Sequence, residues 1–127
     1  MRELKNHCRI AVVQAEPILF YKDLCVEKAV SLIGKAAAGG AELIVFPELF
    51  VPGYPFGMNF GFRTGSRSSD GREDWKRYYD NSILADGPEM ERLTDAAKVA
   101  GAYVSIGYSE RDAVNGTLYN SNMMIST

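Results

Sequence analysis

The sequence predicts an α/β fold with a parallel sheet, and three neighbouring segments predict it. Arg9–Ala15 and Leu43–Phe46 are apolar on both alternating faces, the pattern of strands covered on two sides. Between them Val26, Ala29, Val30, Ile33 and Ala37 recur at three- and four-residue spacing, which is the single buried stripe of a helix. Strand, helix, strand in that order means parallel pairing through a right-handed crossover.

In the first strand Ile10 and Val12 alternate with Ala11 and Val13, so a central place in the sheet is expected. Asp23 is positioned to cap the following helix. Glu27, Lys28, Ser31 and Lys35 fall outside its buried stripe, and Gly39-Gly40 supplies left-handed residues that end it. The second strand runs without interruption into Pro47-Glu48, and a long stretch follows from Pro52 to Ser82. Connections in compact domains are usually about 4 to 6 residues, so that length points to function. Trp75–Tyr79 is expected to form a short helix within it.

Pro88 suits the first turn of a further helix, with Met90, Leu93, Ala97 and Ala100 on one face and Gly101 at its end. Tyr103–Glu110 and Thr117–Ile125 then read as two strands. Asn115-Gly116 between them predicts a tight hairpin turn, a better explanation of Asn115-Gly116-Thr117 than a glycosylation acceptor. No internal repeat, low-complexity tract or linker divides the chain, which reads as one unit.

The 127 residues match the size of one domain, and 46% apolar with 24% charged residues is ordinary globular composition. A formal net charge of -2 carries no electrostatic footprint for nucleic acid or an anionic membrane. Arg63, Arg67, Arg72, Lys76 and Arg77 are interleaved with Asp70, Glu73, Asp74 and Asp80, so the long connection is a mixed surface and not a basic groove. No apolar run approaches the ~20 residues that span a bilayer. Met1–Asn6 is too charged to begin a secretory signal, so a soluble, cytoplasmic protein with a small-molecule or protein partner is expected.

Cys8 and Cys25 are too few for a disulfide framework and read as structural thiols. His7 is the sole histidine, with only Cys8 beside it, so neither a metal site nor a Ser-His-Asp mechanism is expected.

Glu48 is the main candidate for chemistry. A carboxylate that ends a buried strand between aromatic residues is expected to be poorly solvated, which raises its pKa and suits proton transfer near neutral pH. Position alone also allows a strand-end carboxylate paired with an arginine. Tyr54 is likewise open between a pocket-lining residue and a loop-packing one.

Arg9–Pro17, a helix, and then Leu43–Glu48 with its Phe46-Pro47-Glu48 segment resemble the start of the nitrilase, or carbon-nitrogen hydrolase, superfamily. The resemblance covers nearly the whole chain and implies half of a four-layer α-β-β-α sandwich. It makes Glu48 the general base of a Glu-Lys-Cys triad. The family's lysine follows the strand that Leu118–Ile125 resembles, and its cysteine lies further on in a Cys-Trp-Glu type segment. The chain stops at Thr127, so the resemblance implies the N-terminal part of such an enzyme, inactive by itself. Cys8 and Cys25 do not replace the missing nucleophile, because neither ends a strand in a sharp turn.

Pro52-Gly53-Tyr54-Pro55, Gly65-Ser66-Arg67 and Trp75–Tyr79 look more like the nitrilase branch than the amidases or carbamoylases. On that likeness the substrate is an organic nitrile, Tyr54 lines its pocket, no cofactor is required and the enzyme is a homo-oligomer. Glu110-Arg111 and Tyr119-Asn120-Ser121 also resemble the family. Surface pairing and strand packing explain them sufficiently, and no catalytic role is assigned to either. A free half-sandwich would leave one apolar sheet face for the missing C-terminal half or a partner chain to cover. Two other readings stand beside this one: a non-catalytic interaction domain that uses the open face, and a receiver-type parallel module, which lacks the adjacent acidic pair that its metal site needs.

Overall fold

The computed structural model describes residues 6–60, 65 and 68–127. Among them the chain runs β1 (Ile10–Val12), α1 (Lys22–Ala38), β2 (Leu43–Val45), α2 (Ser69–Asp80), α3 (Pro88–Ala100), β3 (Tyr103–Arg111) and β4 (Leu118–Ile125). The order in the sheet is β1-β2-β3-β4, with β1, β2 and β3 parallel and β4 antiparallel to β3. The α/β class and the parallel crossover expected from the sequence are present. Met1–Lys5, Arg63, Ser66 and Arg67 lie outside the described residues.

One face of the sheet carries the core. Ala11, Ile44, Val104 and Ile125 stand in one row across the four strands. Against the sheet lie Val26, Ala29 and Ile33 of α1 and Met90, Leu93 and Ala97 of α3, all buried. Of the two stripes read from the sequence these six residues bury, Val30, Ala37 and Ala100 are only half-buried, and Cys25 joins the first. Full burial of an aliphatic side chain stabilises by roughly 1.5–3 kcal/mol, so this layer is the main source of the fold's cohesion.

The opposite face is open. The row Val12, Val45, Ser105, Met124 leaves Val12 77% and Met124 60% exposed, and in the next row Ile10 is 54% exposed. Accordingly β1 is not central as expected: among the described residues it pairs only with β2 and forms the sheet edge. Apolar residues on both of its sides mark two apolar surfaces, of which this chain covers one. The central strand is β3, buried continuously from Val104 to Ser109.

Three other expectations are corrected. Asp23 does not cap α1: Tyr21 holds that position without a side-chain bond, and Asp23 lies in the first turn, where its charge favours the helix dipole. The helix expected at Trp75–Tyr79 extends back to Ser69, because the Ser68 hydroxyl accepts from the Gly71 N–H and caps a turn rich in charged residues. The β3–β4 connection is not a two-residue turn. Asp112 Oδ1 accepts from the N–H groups of Val114 and Asn115 at 2.8 and 3.0 Å, and Asn115 Oδ1 accepts from Thr117 N–H at 2.8 Å. Side-chain acceptors at both ends build a wider loop, and neither Asn115 nor Gly116 takes the positive φ that a type I′ turn requires.

Candidate active site

Glu48 stands on a short excursion of the chain beyond the carboxyl end of β2, where ligands bind in open parallel sheets. Phe46 N–H still donates to the Ser105 carbonyl of β3 at 2.8 Å. The backbone then leaves the sheet through Pro47, Glu48 and Leu49 and rejoins β3 at Val51, whose carbonyl accepts from Ser109 N–H at 2.8 Å. Below the excursion the buried rings of Phe46 and Phe50 meet edge to face, 5.1 Å between centroids, and close its base. Leu49 completes the bend with φ 46°, a left-handed conformation that is strained for a branched side chain and is held by burial of that side chain.

The excursion lies on the open face of the sheet because Gly107 lies beneath it. A Cβ on Gly107 would meet Leu49 N at 2.6 Å, Glu48 Cα at 2.7 Å and Pro47 O at 2.7 Å. Only a glycine lets two backbones approach so closely.

The Glu48 side chain is exposed, so the poor solvation expected from its aromatic neighbours is not found in this chain. Those rings turn into the core while the carboxylate points away. Among the described residues its partner is also not the arginine allowed by position. Asn120 of β4 donates through Nδ2 to Glu48 Oε1, across 72 residues of sequence. Asn120 pairs with Ser109, and Asn122 with Gly107, so both asparagines share the open face with the Glu48 excursion. Ser105 Oγ lies 3.0 Å from Asn122 Oδ1 and continues this polar strip.

Tyr54 is 52% exposed, and its carbonyl accepts from Phe56 N–H at 2.8 Å. Among the described residues no hydrogen bond joins it to Glu48. Gly53 beside it is tied down, its carbonyl accepting from the buried Tyr78 hydroxyl at 3.2 Å. Cys25 is buried with its thiol directed at the Ile18 carbonyl, 3.1 Å away, and burial pushes its pKa up, which suits a structural thiol. Cys8 is exposed at the amino ends of the strands, the opposite edge of the sheet from Glu48.

Glu110 and Arg111 do not pair with each other as expected. Glu110 Oε2 accepts from the Ser121 and Tyr108 hydroxyls at 2.7 and 3.3 Å, and the Arg111 guanidinium stacks over Tyr79 at 5.4 Å. Sequence reasoning missed Asn120 and Gly107 as parts of the Glu48 site. The available signal was that Asn120 and Asn122, two apart, put two amides on one face of a strand that also carries Met124.

The pattern of the carbon-nitrogen hydrolase family matches residues 9–127. The chain belongs to that family. As a carbon-nitrogen hydrolase it is 46% identical over 111 residues to an aliphatic nitrilase of Sinorhizobium fredii, a match covering 87% of this chain and 35% of that protein. An aliphatic nitrilase of Rhodococcus rhodochrous is 39% identical over 125 residues, 98% of this chain and 32% of the relative. A bifunctional nitrilase/nitrile hydratase of Lupinus angustifolius is 41% identical over 111 residues, 87% and 31% respectively. The chain thus spans about a third of the length of the curated relatives it matches.

Solved structures bear on the fold alone. A carbon-nitrogen hydrolase superfamily protein of Xanthomonas campestris aligns with TM-score 0.64 at 18% identity, over 94% of this chain and 36% of that one. An N-terminal amidase aligns with TM-score 0.65 at 22% identity, over 94% and 25%. The carbon-nitrogen hydrolase fold expected from the sequence is the one these neighbours share. Among the described residues no helix is long and apolar enough to cross a membrane.

Proposed function

We propose that this chain carries the general base of a nitrilase, an enzyme that hydrolyses an organic nitrile to a carboxylic acid and ammonia. The observation that carries the assignment is Glu48 itself: a carboxylate raised on the open sheet face at the end of a parallel strand, with one oxygen engaged by a neutral amide and, among the described residues, the other left for a proton. The similarity to nitrilases supports the substrate class.

In this mechanism a cysteine thiol supplied from outside these residues adds to the nitrile carbon, and Glu48 takes its proton. The new C–S bond gives a thioimidate whose nitrogen receives that proton, while a lysine, also from outside, stabilises the charge. Water then adds, ammonia leaves, and a thioester remains. Glu48 activates a second water, whose attack breaks the C–S bond and releases the acid and the thiol. No cofactor enters this sequence.

The exposed carboxylate fits an incomplete cavity: the C-terminal half of the fold, or a partner chain, would lie on the face carrying Ile10, Val12 and Met124 and remove Glu48 from water. Tyr54 would then line the nitrile pocket, and the assembled enzyme would be a cytoplasmic homo-oligomer.

Glu48→Gln in the assembled enzyme tests the assignment. The amide keeps the shape and cannot accept the proton, so nitrile-dependent ammonia release should fall by about 10²–10⁴-fold or more while the fold persists. Retained turnover would remove Glu48 from the mechanism. The same open face favours a second reading, a non-catalytic domain that binds a partner through its apolar rows. Hydrolysis by the assembled protein would exclude it.

A further inference from the structure

We infer that Asn120 is a positioning residue for Glu48: it sets which carboxylate oxygen is free to take the proton. The inference rests on the reading of Glu48 as the general base. Neither Asn120 nor any residue of β4 belongs to the Glu-Lys-Cys triad.

The backbone of Glu48 has little freedom. It is seated on Gly107 and tied to β3 on both sides, at Ser105 and at Ser109. What remains undetermined by the backbone is the direction of the carboxylate, which is set by side-chain torsions with low barriers. Asn120 Nδ2 holds Oε1 and so fixes that direction, and among the described residues no hydrogen bond engages Oε2.

The chemistry of the partner matters as much as its place. A carboxylate only accepts, so the asparagine must present its NH2 group, and its own oxygen is directed elsewhere. A lysine or arginine in this position would also hold the carboxylate, but its charge would make Glu48 a weaker base. A neutral amide orients it without adding a full charge beside it. Asn120 is itself held in register, paired with Ser109 on β3, the strand over which the Glu48 excursion lies. A site built from strand residues keeps a tighter geometry than one built from loops, and a misplacement of about 1 Å can cost roughly 10²-fold in rate.

Two measurements test this and separate it from the nitrilase reading. In the assembled enzyme, Asn120→Ala should lower kcat by ~10- to 100-fold with KM changed less than about twofold, as for an interaction used in the transition state. Combined with Glu48→Gln it should reduce the rate no further than Glu48→Gln alone, because the two act as one unit. An unchanged kcat for Asn120→Ala, or a full additive loss in the double variant, would overturn the inference.

The second measurement needs no turnover. In the 127-residue chain, the Asn120 side-chain NH2 signals in a nitrogen–proton correlation spectrum should move toward free-amide positions in Glu48→Ala, with the backbone signals of β4 retained. Asn120 signals that ignore Glu48→Ala would refute the contact. If those signals respond and the wild-type assembly hydrolyses no nitrile, the nitrilase reading fails while the Asn120–Glu48 pairing stands.

Discussion

Glu48 rests directly on Gly107, its Cα 2.7 Å from where a side-chain carbon on that glycine would lie. Leu49 N and Pro47 O are equally close, and all three are backbone atoms, so no change of rotamer relieves the clash. Gly107→Ala should therefore destabilise the fold by about 1–3 kcal/mol, as overpacking of a filled site does. Denaturant unfolding measures this directly. An unchanged midpoint would mean that the Glu48 excursion yields freely and is not seated as described.

Tyr108 couples stability to alkaline pH. Burial foremost, then the charge of Glu110 and the hydrogen bond to it, push the Tyr108 phenol from 10.0 up to about 12. The folded value lies above the unfolded one, so this stabilisation is complete below pH 10 and is lost as pH rises through about 12. Tyr108→Phe should flatten the fall in unfolding midpoint across that window. Some slope should persist, since burial also raises the Tyr78 phenol. Identical pH profiles in both proteins would contradict the assignment.

Asp112 makes the β3–β4 loop sensitive to acid. Its carboxyl is held below the usual 3.8 by the N–H groups of Asn115 and Val114 that it accepts. Stabilisation from this loop is therefore present above that value and lost as pH falls below it. Asp112→Ala should speed hydrogen exchange of the Val114 and Asn115 amides at neutral pH, with the core amides of β3 unaffected. Exchange rates equal to wild type would show that the loop is held by other bonds.

The uncovered apolar rows should be visible in solution. The chain alone should bind a hydrophobic dye or self-associate, because exposed apolar patches beyond a few hundred Å² are rare on soluble monomers. Val12→Lys with Met124→Glu should weaken both effects, since these side chains are the most exposed on that face. Sedimentation and dye fluorescence that do not change would place the association elsewhere.

The parts of this structure legible in the sequence are those encoded locally. The stripe of α1, the Pro88 start and Gly101 stop of α3, and the run into Glu48 are all set by residues within a few positions of one another. The place of β1 was not legible, because a strand apolar on both sides reads alike whether its second cover comes from the same residues or from others. The solvation of Glu48 is not legible for a related reason: Phe46 and Phe50 flank it in sequence, yet both rings turn inward and pair with each other. Asn120 and Gly107 were invisible as parts of the site because their relation to Glu48 is made only when β3 and β4 align.

The excursion bearing Glu48 departs from β3 at Ser105 and returns at Ser109, and β3 is the most deeply buried strand. A segment moored at both ends to such a strand is expected to open together with it. Its backbone amides should therefore exchange with those at the centre of the sheet, and the acid should keep its place as long as the cooperative unit does.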